Sequence, residues 1–341
     1  MHAPLPSPTA RHGERGQTVI IVTLFMVALL GVAATAIDVG SWYWAKHEAQ
    51  AAADAAALAG AAELPTGWPS AQLAATSNFA QNGRSGDHVT YANTSTASAN
   101  DSVTVSVDRV APSYFAKVFG IGEADISVSA TATVKSIIKL TNSPHVVPWG
   151  ITQASWIPGA QYQIYTDNST ANNGSLSLPV SDGSGGCSPT QGAGDYRTSI
   201  AGEQTVCDVT VGQIVDVKTG QNTGPTKQGI DTRVPPGTWQ PLDAIVQYSA
   251  GGTATILQPD SPQLVVLPVV IDVAGNAGWP TGGGQVRIVG FAAFVLTEPG
   301  YAEGGRTVIG TFVQMQMENT SGSTGQYTPG TGGLYTVELT R

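Results

Sequence analysis

Charged residues are scarce in this sequence. Asp, Glu, Lys and Arg together make up 11% of its 341 residues, against about 25% in an average soluble protein. The formal net charge is −9, and apart from Arg11 and Arg15 near the start there is no basic stripe of the kind that phosphate binding requires. We therefore expect no nucleic-acid partner. Glycine, serine, threonine, alanine and valine replace the charges, which favours extended strands and glycine-rich turns in an extracytoplasmic setting.

Recognisable catalytic and metal-binding motifs are also missing. The five histidines are scattered, and no His-Glu-x-x-His, Gly-x-x-x-x-Gly-Lys-Ser or Gly-x-Ser-x-Gly occurs. Asp195, Glu203, Asp208 and Asp216 lie close in sequence and could serve acid–base chemistry or calcium, but solvated turn residues are the commoner explanation. We predict that the protein is not an enzyme and has no cofactor or metal. An exported hydrolase with a dispersed site is a third hypothesis.

Cysteine is nearly absent. Cys187 and Cys207 are the two cysteines, with 19 residues between them and no Cys-x-x-Cys motif. If this region faces an oxidising compartment, the pair predicts a disulfide whose closed loop would contribute about 3 kcal/mol on the loop-entropy model. Two separate buried thiols are the alternative interpretation.

One long hydrophobic run is present near the start. Residues 18–37, which begin at Thr18 and end at Ile37, contain no charge, and a helix of that length spans about 30 Å, the thickness of a bilayer's hydrocarbon core. Arg11 and Arg15 precede the run and Asp38 follows it. The positive-inside rule then predicts a single-pass membrane protein with a cytoplasmic N-terminus and an extracytoplasmic C-terminal domain.

Three aromatic residues come directly after this run. Trp42, Tyr43 and Trp44 stand where amphipathic rings settle at the headgroup level, so we predict that they lie at the membrane interface. Ordinary core residues are the other interpretation.

A cleaved signal peptide is the competing interpretation of the same run. Residues 19–30 form a 12-residue apolar core, and residues 34–36 have the small-x-small form of a cleavage site. Cleavage after Ala36 would release a secreted β-rich surface protein or adhesin. Twenty apolar residues are long for such a core, however, and helix propensity stays high after Gly31, whereas a peptidase requires an extended site.

Helix propensity continues beyond the aromatic residues. Residues 45–64 are rich in alanine, and Pro65 ends the pattern, so we predict one helix of about 47 residues. Gln50, Asp54 and Leu58 are spaced four apart and share one stripe, which we interpret as a docking face for a partner, with small side chains allowing close approach. The alternative is an alanine-rich spacer that lies on the protein's own β-domain.

The first 64 residues resemble a known family. From Arg15 to Leu64 their order of features is similar to that of the N-terminal region of TadG-like proteins of the Flp (tight adherence) pilus assembly system, and residues 111–134 resemble the short helix and strand that follow in the same family. A weaker likeness is seen at residues 222–234. The resemblance implies a protein of a bacterial cell membrane. The resemblance implies a non-catalytic, membrane-anchored component, minor pilin-like or scaffolding, that contacts other Tad/Flp pilus assembly proteins. The matching positions are Arg15, Gly16, Asp38, Gly40, Trp42, Tyr43, Gln50 and residues 54–59.

The sequence also departs from related pilins. Gly16 stands at the position of a prepilin processing site, but the fifth residue after it is Ile21 instead of the glutamate of polymerising pilins. A filament-forming major pilin is therefore not expected. Some TadG relatives carry a von Willebrand A domain, but residues 167–171 have alanine at the last position of its metal motif, so no metal site is implied.

For the rest of the chain the predicted fold class is α+β. Residues 1–17 would be a cytoplasmic leader and residues 38–64 the extracytoplasmic continuation of the transmembrane helix; a small α+β Tad-like unit would cover 65–140. In that unit, residues 113–119 predict a short helix whose Tyr114, Phe115 and Phe119 cap the sheet. Strand and turn patterns predict a mostly-β sandwich or barrel over 141–341. Residues 222–233 are predicted as a loop, and the glycine clusters at 183–194 and 282–284 show no following helix.

Overall fold

The computed structural model describes residues 14–167, 172–189, 192–248, 254–274, 278–280, 283–317, 322–328 and 332–340. Its α-helices are Glu14–Glu63 (α1), Trp68–Asn82 (α2), Ala193–Ala201 (α3), Thr223–Arg233 (α4) and Leu242–Ile245 (α5). Short 3-10 helices occupy Leu64–Thr66, Ala116–Phe119, Gln153–Ser155 and Glu303–Gly305.

The β-strands begin after α2 and continue to the end of the described chain. They are His88–Thr94 (β1), Ser102–Pro112 (β2), Glu123–Leu140 (β3), Trp149–Thr152 (β4), Gln161–Tyr165 (β5), Asn173–Ser177 (β6), Pro179–Ser181 (β7), Cys187–Pro189 (β8), Val209–Thr210 (β9), Ile214–Val217 (β10), Val246–Tyr248 (β11), Ala254–Ile256 (β12), Leu264–Asp272 (β13), Gln285–Ala302 (β14), Thr307–Val313 (β15), Met315–Gln316 (β16), Gly322–Gln326 (β17) and Leu334–Thr340 (β18). The predicted α+β class, with a long N-terminal helix and a β-rich C-terminal part, is confirmed.

Helix α1 runs for 50 residues without a break. Its apolar and alanine-rich halves both have high helix propensity, and a 3-10 turn with Pro65 in its first positions follows it. The predicted continuous helix is therefore confirmed. Helix α2 follows this turn, and its buried face is made by Ala71, Ala75 and Phe79.

The chain divides into two compact units. The first contains α1 as far as Ala53, together with Gly83–Thr90 and Ser106–Ser129, and the second contains the remaining described residues. The predicted boundary near residue 140 stays a prediction. Strand β3, which ends at Leu140, pairs antiparallel with β18 and with β17.

Most of the strands form two large sheets. Among the described residues, a seven-stranded sheet has the order β10-β6-β4-β13-β14-β15-β5, and a nine-stranded sheet contains the path β1-β2-β3-β18-β16-β12-β11, with β9 and β17 also pairing with β3. Side chains from both sheets, such as Leu140, Met315, Val266 and Phe291, share one hydrophobic cluster. The sheets therefore pack on each other, as the predicted sandwich requires.

Strands β13 and β14 lie at the centre of the seven-stranded sheet and are buried on both faces. Val266 and Val270 join the cluster between the sheets, whereas Val265, Leu267 and Val269 belong to a second cluster on the opposite face. This two-sided burial agrees with their sequences, which are apolar at both odd and even positions.

Helices α3 and α4 cover the outer face of the seven-stranded sheet. Tyr196 and Ile200 of α3 and Ile230 of α4 belong to the cluster on that face. The loop prediction for residues 222–233 is therefore wrong, and so is the expectation that no helix follows the glycine cluster at 183–194. Helix α4 was not predicted because Ile230 is its one large apolar side chain, so its sequence shows no helical repeat of apolar residues. Tertiary packing stabilises this helix.

Contact between α3 and α4 depends on a glycine. A Cβ atom at Gly229 would lie 2.7 Å from the Cβ of Ile200 and 2.9 Å from the carbonyl oxygen of Arg197. Real Cβ atoms do not approach so closely, so this position keeps the two helices in contact.

We expect Gly229→Ala to lower the free energy of unfolding by about 1–3 kcal/mol, because the overpacking between α3 and α4 outweighs the gain in helix propensity. Gly224→Ala is the matched control in the same helix, since nothing lies within 4 Å of its Cβ position. It should stabilise by up to about 1 kcal/mol. Urea unfolding of the full chain in detergent micelles measures both, and equal effects at the two glycines would contradict the proposed contact.

A buried carboxylate organises the turn between β1 and β2. Asp101 is fully buried and accepts hydrogen bonds from the backbone N–H groups of Thr96, Ala97 and Ser98, at 2.7, 2.9 and 2.7 Å. The hydroxyl of Ser102 donates a further bond at 2.7 Å. Burial acts to raise the pKa of Asp101, but these hydrogen bonds outweigh it and lower the pKa to about 2.

Because the folded pKa of Asp101 lies below the unfolded value of about 3.9, its carboxylate stabilises the native state above about pH 4, and this stabilisation disappears as the pH falls towards 2. We expect Asp101→Asn to reduce the free energy of unfolding by about 1.5–3 kcal/mol at pH 7 and by progressively less below about pH 4. Urea titrations of the full chain in micelles from pH 7 to pH 2 measure this. The exposed Asp260→Asn is the control, and a pH-independent difference for Asp101→Asn would refute the assignment.

Candidate membrane-proximal site

The first half of α1 presents apolar side chains that the protein does not cover. Val19, Phe25, Leu30 and Val32 are 65, 63, 66 and 70% exposed. The described residues contain one helix that is long and apolar enough to cross a membrane, α1, and its candidate span begins at Thr18. Its most apolar window has no residue buried inside the protein, in contrast to a core helix of the same length.

Asp38 follows this apolar stretch directly, and its side chain is buried. Its carboxylate accepts hydrogen bonds from three successive backbone N–H groups, those of Tyr114, Phe115 and Ala116, at distances from 2.5 to 3.2 Å. These donors stand at the start of the 3-10 helix Ala116–Phe119, where N–H groups lack partners within the helix. Successive amides of this kind form an anion-binding cradle, which the carboxylate of α1 occupies.

Arg109 on β2 makes a second connection to α1. Its guanidinium is 3% exposed and forms two parallel hydrogen bonds to the carboxylate of Asp87, at 2.8 and 2.7 Å. It also donates to the carbonyl oxygen of Ala45 at 3.1 Å and to Glu48 at 3.2 Å. Arg109 lowers the pKa of Asp87, chiefly by hydrogen bonding. Arg109 therefore joins α1 to the loop before β1.

The predicted interfacial residues lie between these two connections. Tyr43 and Trp44 are 65 and 68% exposed, whereas Trp42 is partly buried. The exposure of Tyr43 and Trp44 fits an interfacial position, which stays a prediction for all three.

The short helix predicted at 113–119 is smaller than expected, and its aromatic residues point away from the protein. Only Ala116–Phe119 is helical, with 3-10 geometry. Tyr114, Phe115 and Phe119 are 62, 46 and 82% exposed, so the prediction that they cap the sheet is wrong. The reason is that Asp38 holds the backbone of this segment, and its fold does not depend on burying the rings.

The predicted docking stripe on α1 is partly covered by the chain itself. Gln50, Asp54 and Leu58 are each half-buried, and Gln50 donates to the carbonyl oxygen of Ser129 at 3.1 Å. The alanine face beside the stripe is buried against the protein's own residues, as the alternative interpretation expected, and its members include Ala45, Ala49, Ala52, Ala53, Ala56, Ala57 and Ala61.

Within the second unit, Ala75 and Val103 lie very close to this face of α1 at Gly60. A Cβ there would meet the Cβ of Ala75 at 3.0 Å and Val103 at 3.1 Å. The hydroxyl of Tyr335 on β18 also donates to the carbonyl oxygen of Ala62 at 2.7 Å. Use of Gln50, Asp54 and Leu58 for docking stays a prediction.

Gly16 and Ala36, the two candidate processing positions, both lie within α1. Ala36 is exposed but helical, whereas signal peptidases cut extended segments. The predicted disulfide between Cys187 and Cys207 is present, between β8 and the segment before β9.

The carboxylates considered for catalysis or calcium are dispersed. Asp208 pairs with Lys139 at 2.6 Å, Glu203 lies 4.0 Å from Arg197, and Asp216 accepts a hydrogen bond from Gln285. Within the described ranges, no group of three His, Cys, Asp or Glu residues could hold a metal ion. The expectation of no cofactor, metal or catalysis stays a prediction.

A single apolar helix that continues as a protein-covered helix, fixed to the chain at Asp38 and Arg109, fits the class of membrane-anchored proteins. Residues 16–63 match the family model described as "Putative Flp pilus-assembly TadE/G-like", which confirms the resemblance to the N-terminal Tad domain. The match supports involvement of the protein in Flp/Tad pilus assembly. Comparisons with curated proteins and with solved structures give no significant match.

Sequence reasoning identified Asp38 as part of the Tad-like pattern but missed its partner, and it missed Arg109 entirely. Asp38 and Tyr114 are 76 residues apart, and one sequence contains no signal that pairs them. Arg109 ends an alternating strand pattern, and a basic residue buried at that point is the one feature that could have drawn attention to it.

We expect Asp38→Asn to accelerate hydrogen exchange at the amides of residues 114–116, because the neutral amide group accepts fewer and weaker hydrogen bonds than the carboxylate. Hydrogen bonds to charged groups contribute about 1.5–3 kcal/mol, so protection should fall by about 10- to 100-fold. Hydrogen exchange with mass spectrometry on the full chain in nanodiscs measures it. The control is Asp125→Asn, an exposed carboxylate on β3, and unchanged protection in Asp38→Asn would disprove the role of Asp38.

Proposed function

We propose that this protein is a non-catalytic, membrane-anchored component of Flp/Tad-type pilus assembly, with a minor pilin-like or scaffolding role outside the membrane. The observation that carries the proposal is the Tad match over residues 16–63, which coincides with an unbroken helix whose apolar half is uncovered. In this proposal residues 18–37 span the membrane, the N-terminus is cytoplasmic and the β-rich part is extracytoplasmic. A Cys187–Cys207 disulfide fits an oxidising compartment.

The proposed partners are other Tad/Flp pilus assembly proteins. Gln50, Asp54 and Leu58 remain half-exposed beside a buried alanine face, so part of each side chain can be reached from solvent at the helix surface. Their position beyond the membrane span would let a partner helix dock at a fixed height above the bilayer.

The first experiment determines the N-terminus of the endogenous protein by mass spectrometry, after separation of membranes from the soluble fraction. We expect a membrane-bound chain beginning at Met1, His2 or Gln17, and a start at Gln17 would indicate prepilin-type processing at Gly16. The Ala36→Leu variant is the matched control, because it removes the small-x-small site and should leave the N-terminus unchanged. A soluble chain that begins at Ile37 would overturn the anchored function and favour a secreted β-rich surface protein.

The bacterial strain that makes the endogenous protein also permits a test of pilus assembly. Loss of the protein should abolish or reduce surface Flp pili, and the full chain should restore them. An ectodomain exported with a cleavable signal in place of residues 1–37 should not restore them, because it lacks the anchor. Restoration by this soluble form would contradict the need for the membrane span.

A further inference from the structure

The loop at residues 113–121 exposes an unusual amount of apolar surface. Val118 and Phe119 are 83 and 82% exposed, and Tyr114, Phe115 and Ile121 are 62, 46 and 50% exposed. Single exposed apolar residues are normal on soluble proteins, but a contiguous group of this size marks an interaction surface.

The position of this loop along α1 is fixed by Asp38. The three hydrogen bonds to the N–H groups of residues 114–116 hold the backbone of the loop against the residue that follows Ile37, the last residue of the proposed span. A bilayer that contains residues 18–37 therefore has its outer boundary at the level of Asp38. The exposed rings lie within a few residues of that anchored backbone.

The composition of the loop matches this boundary. Aromatic residues prefer the headgroup level, and a long cationic side chain such as that of Lys117 reaches phosphate groups while its methylenes stay in apolar surroundings. On the strand that follows, Glu123 and Asp125 are exposed and acidic, as residues on the water side of such a boundary would be. Gly120, in a left-handed conformation with φ of 84°, ends the 3-10 helix, after which Ile121 and Gly122 lead into β3.

We propose that the 113–121 loop is a second membrane contact of this protein, which inserts the side chains of Val118, Phe119 and Ile121 into the headgroup and upper acyl region of the leaflet from which α1 emerges. The occupant of the apolar surface is lipid. The proposal depends on residues 18–37 being a membrane span, and it adds that the exported part is held at the membrane by a loop as well as by the helix.

Spin-label depth measurements on the full chain in lipid nanodiscs, one chain per disc, test the proposal. The native cysteines form a disulfide, so an unreduced protein is labelled only at an introduced cysteine. Collision with oxygen and with a water-soluble nickel chelate then reports the depth of Phe119→Cys. We expect its label to lie about 5–10 Å inside the headgroup boundary, as for interfacial amphipathic segments. Phe119 is exposed, so its replacement should not affect folding.

Two control positions distinguish failure of the loop proposal from failure of the proposed membrane span. Asp125→Cys should report water, and Met26→Cys, in the middle of the proposed span, should report the bilayer interior. A water-exposed label at 119 with a deep label at 26 would overturn the loop proposal and leave the anchored function intact. An aqueous label at 26 would instead overturn the span itself. A label at 119 that is shielded from both oxygen and nickel would indicate a protein contact and would also overturn lipid insertion.

Addition of Asp38→Asn to the Phe119→Cys chain tests the role of the carboxylate. If Asp38 sets the height of the loop, the label should become shallower or more broadly distributed in depth, whereas Asp125→Asn should leave its depth unchanged. An unaltered depth in Asp38→Asn would show that the loop inserts without this connection and would refute that part of the proposal.

Discussion

Helix α1 is unbroken although its two halves suit different surroundings, and the rest of the structure is arranged around that constraint. Its first half carries large apolar side chains that suit lipid, and its second half carries alanines that suit close packing against protein. The change occurs at Asp38, where a charged group appears on the helix and immediately receives backbone donors from elsewhere in the chain. Because neither proline nor a kink separates the halves, the protein surface beside α1 has to begin where the uncovered apolar stretch ends.

Ionised groups are few in this protein, and several of them serve as internal connections. Asp38 holds the turn before β3, Asp101 holds the turn between β1 and β2, and Arg109 joins β2 to α1 and to Asp87. In each case the charge is buried and meets several partners, which is the condition under which a buried charge is tolerated. The low content of charged residues therefore reflects a surface with few charges more than a lack of polar contacts inside the protein.

Much of the fold could be predicted because it follows from strong local patterns. The length and composition of α1, the two-sided burial of β13 and β14, and the pairing of Cys187 with Cys207 all came from the sequence. Helix α4 could not be predicted, because Gly229 and Ile230 stabilise it through contacts with α3 and with the outer face of the seven-stranded sheet, which local patterns do not encode. The exposure of Phe119 was also unpredictable, since an aromatic residue in a short amphipathic segment ordinarily points to the core. The pairings of Asp38 and Arg109 join residues distant in sequence, which local patterns do not encode.

Strand β3 has a consequence for the order of assembly of the sheet. It hydrogen-bonds to β18 from Thr131 to Ser136, and its partners there lie about 200 residues later in the chain. During synthesis β3 therefore emerges long before β18. Until β18 is made, the N–H and C=O groups on the edge of β3 that pairs with it remain unpaired. A chain with such a delay is exposed to wrong pairing with other copies. The yield of folded protein should depend on chaperones that shield the unpaired edge of β3, and on how soon β18 is synthesised after it.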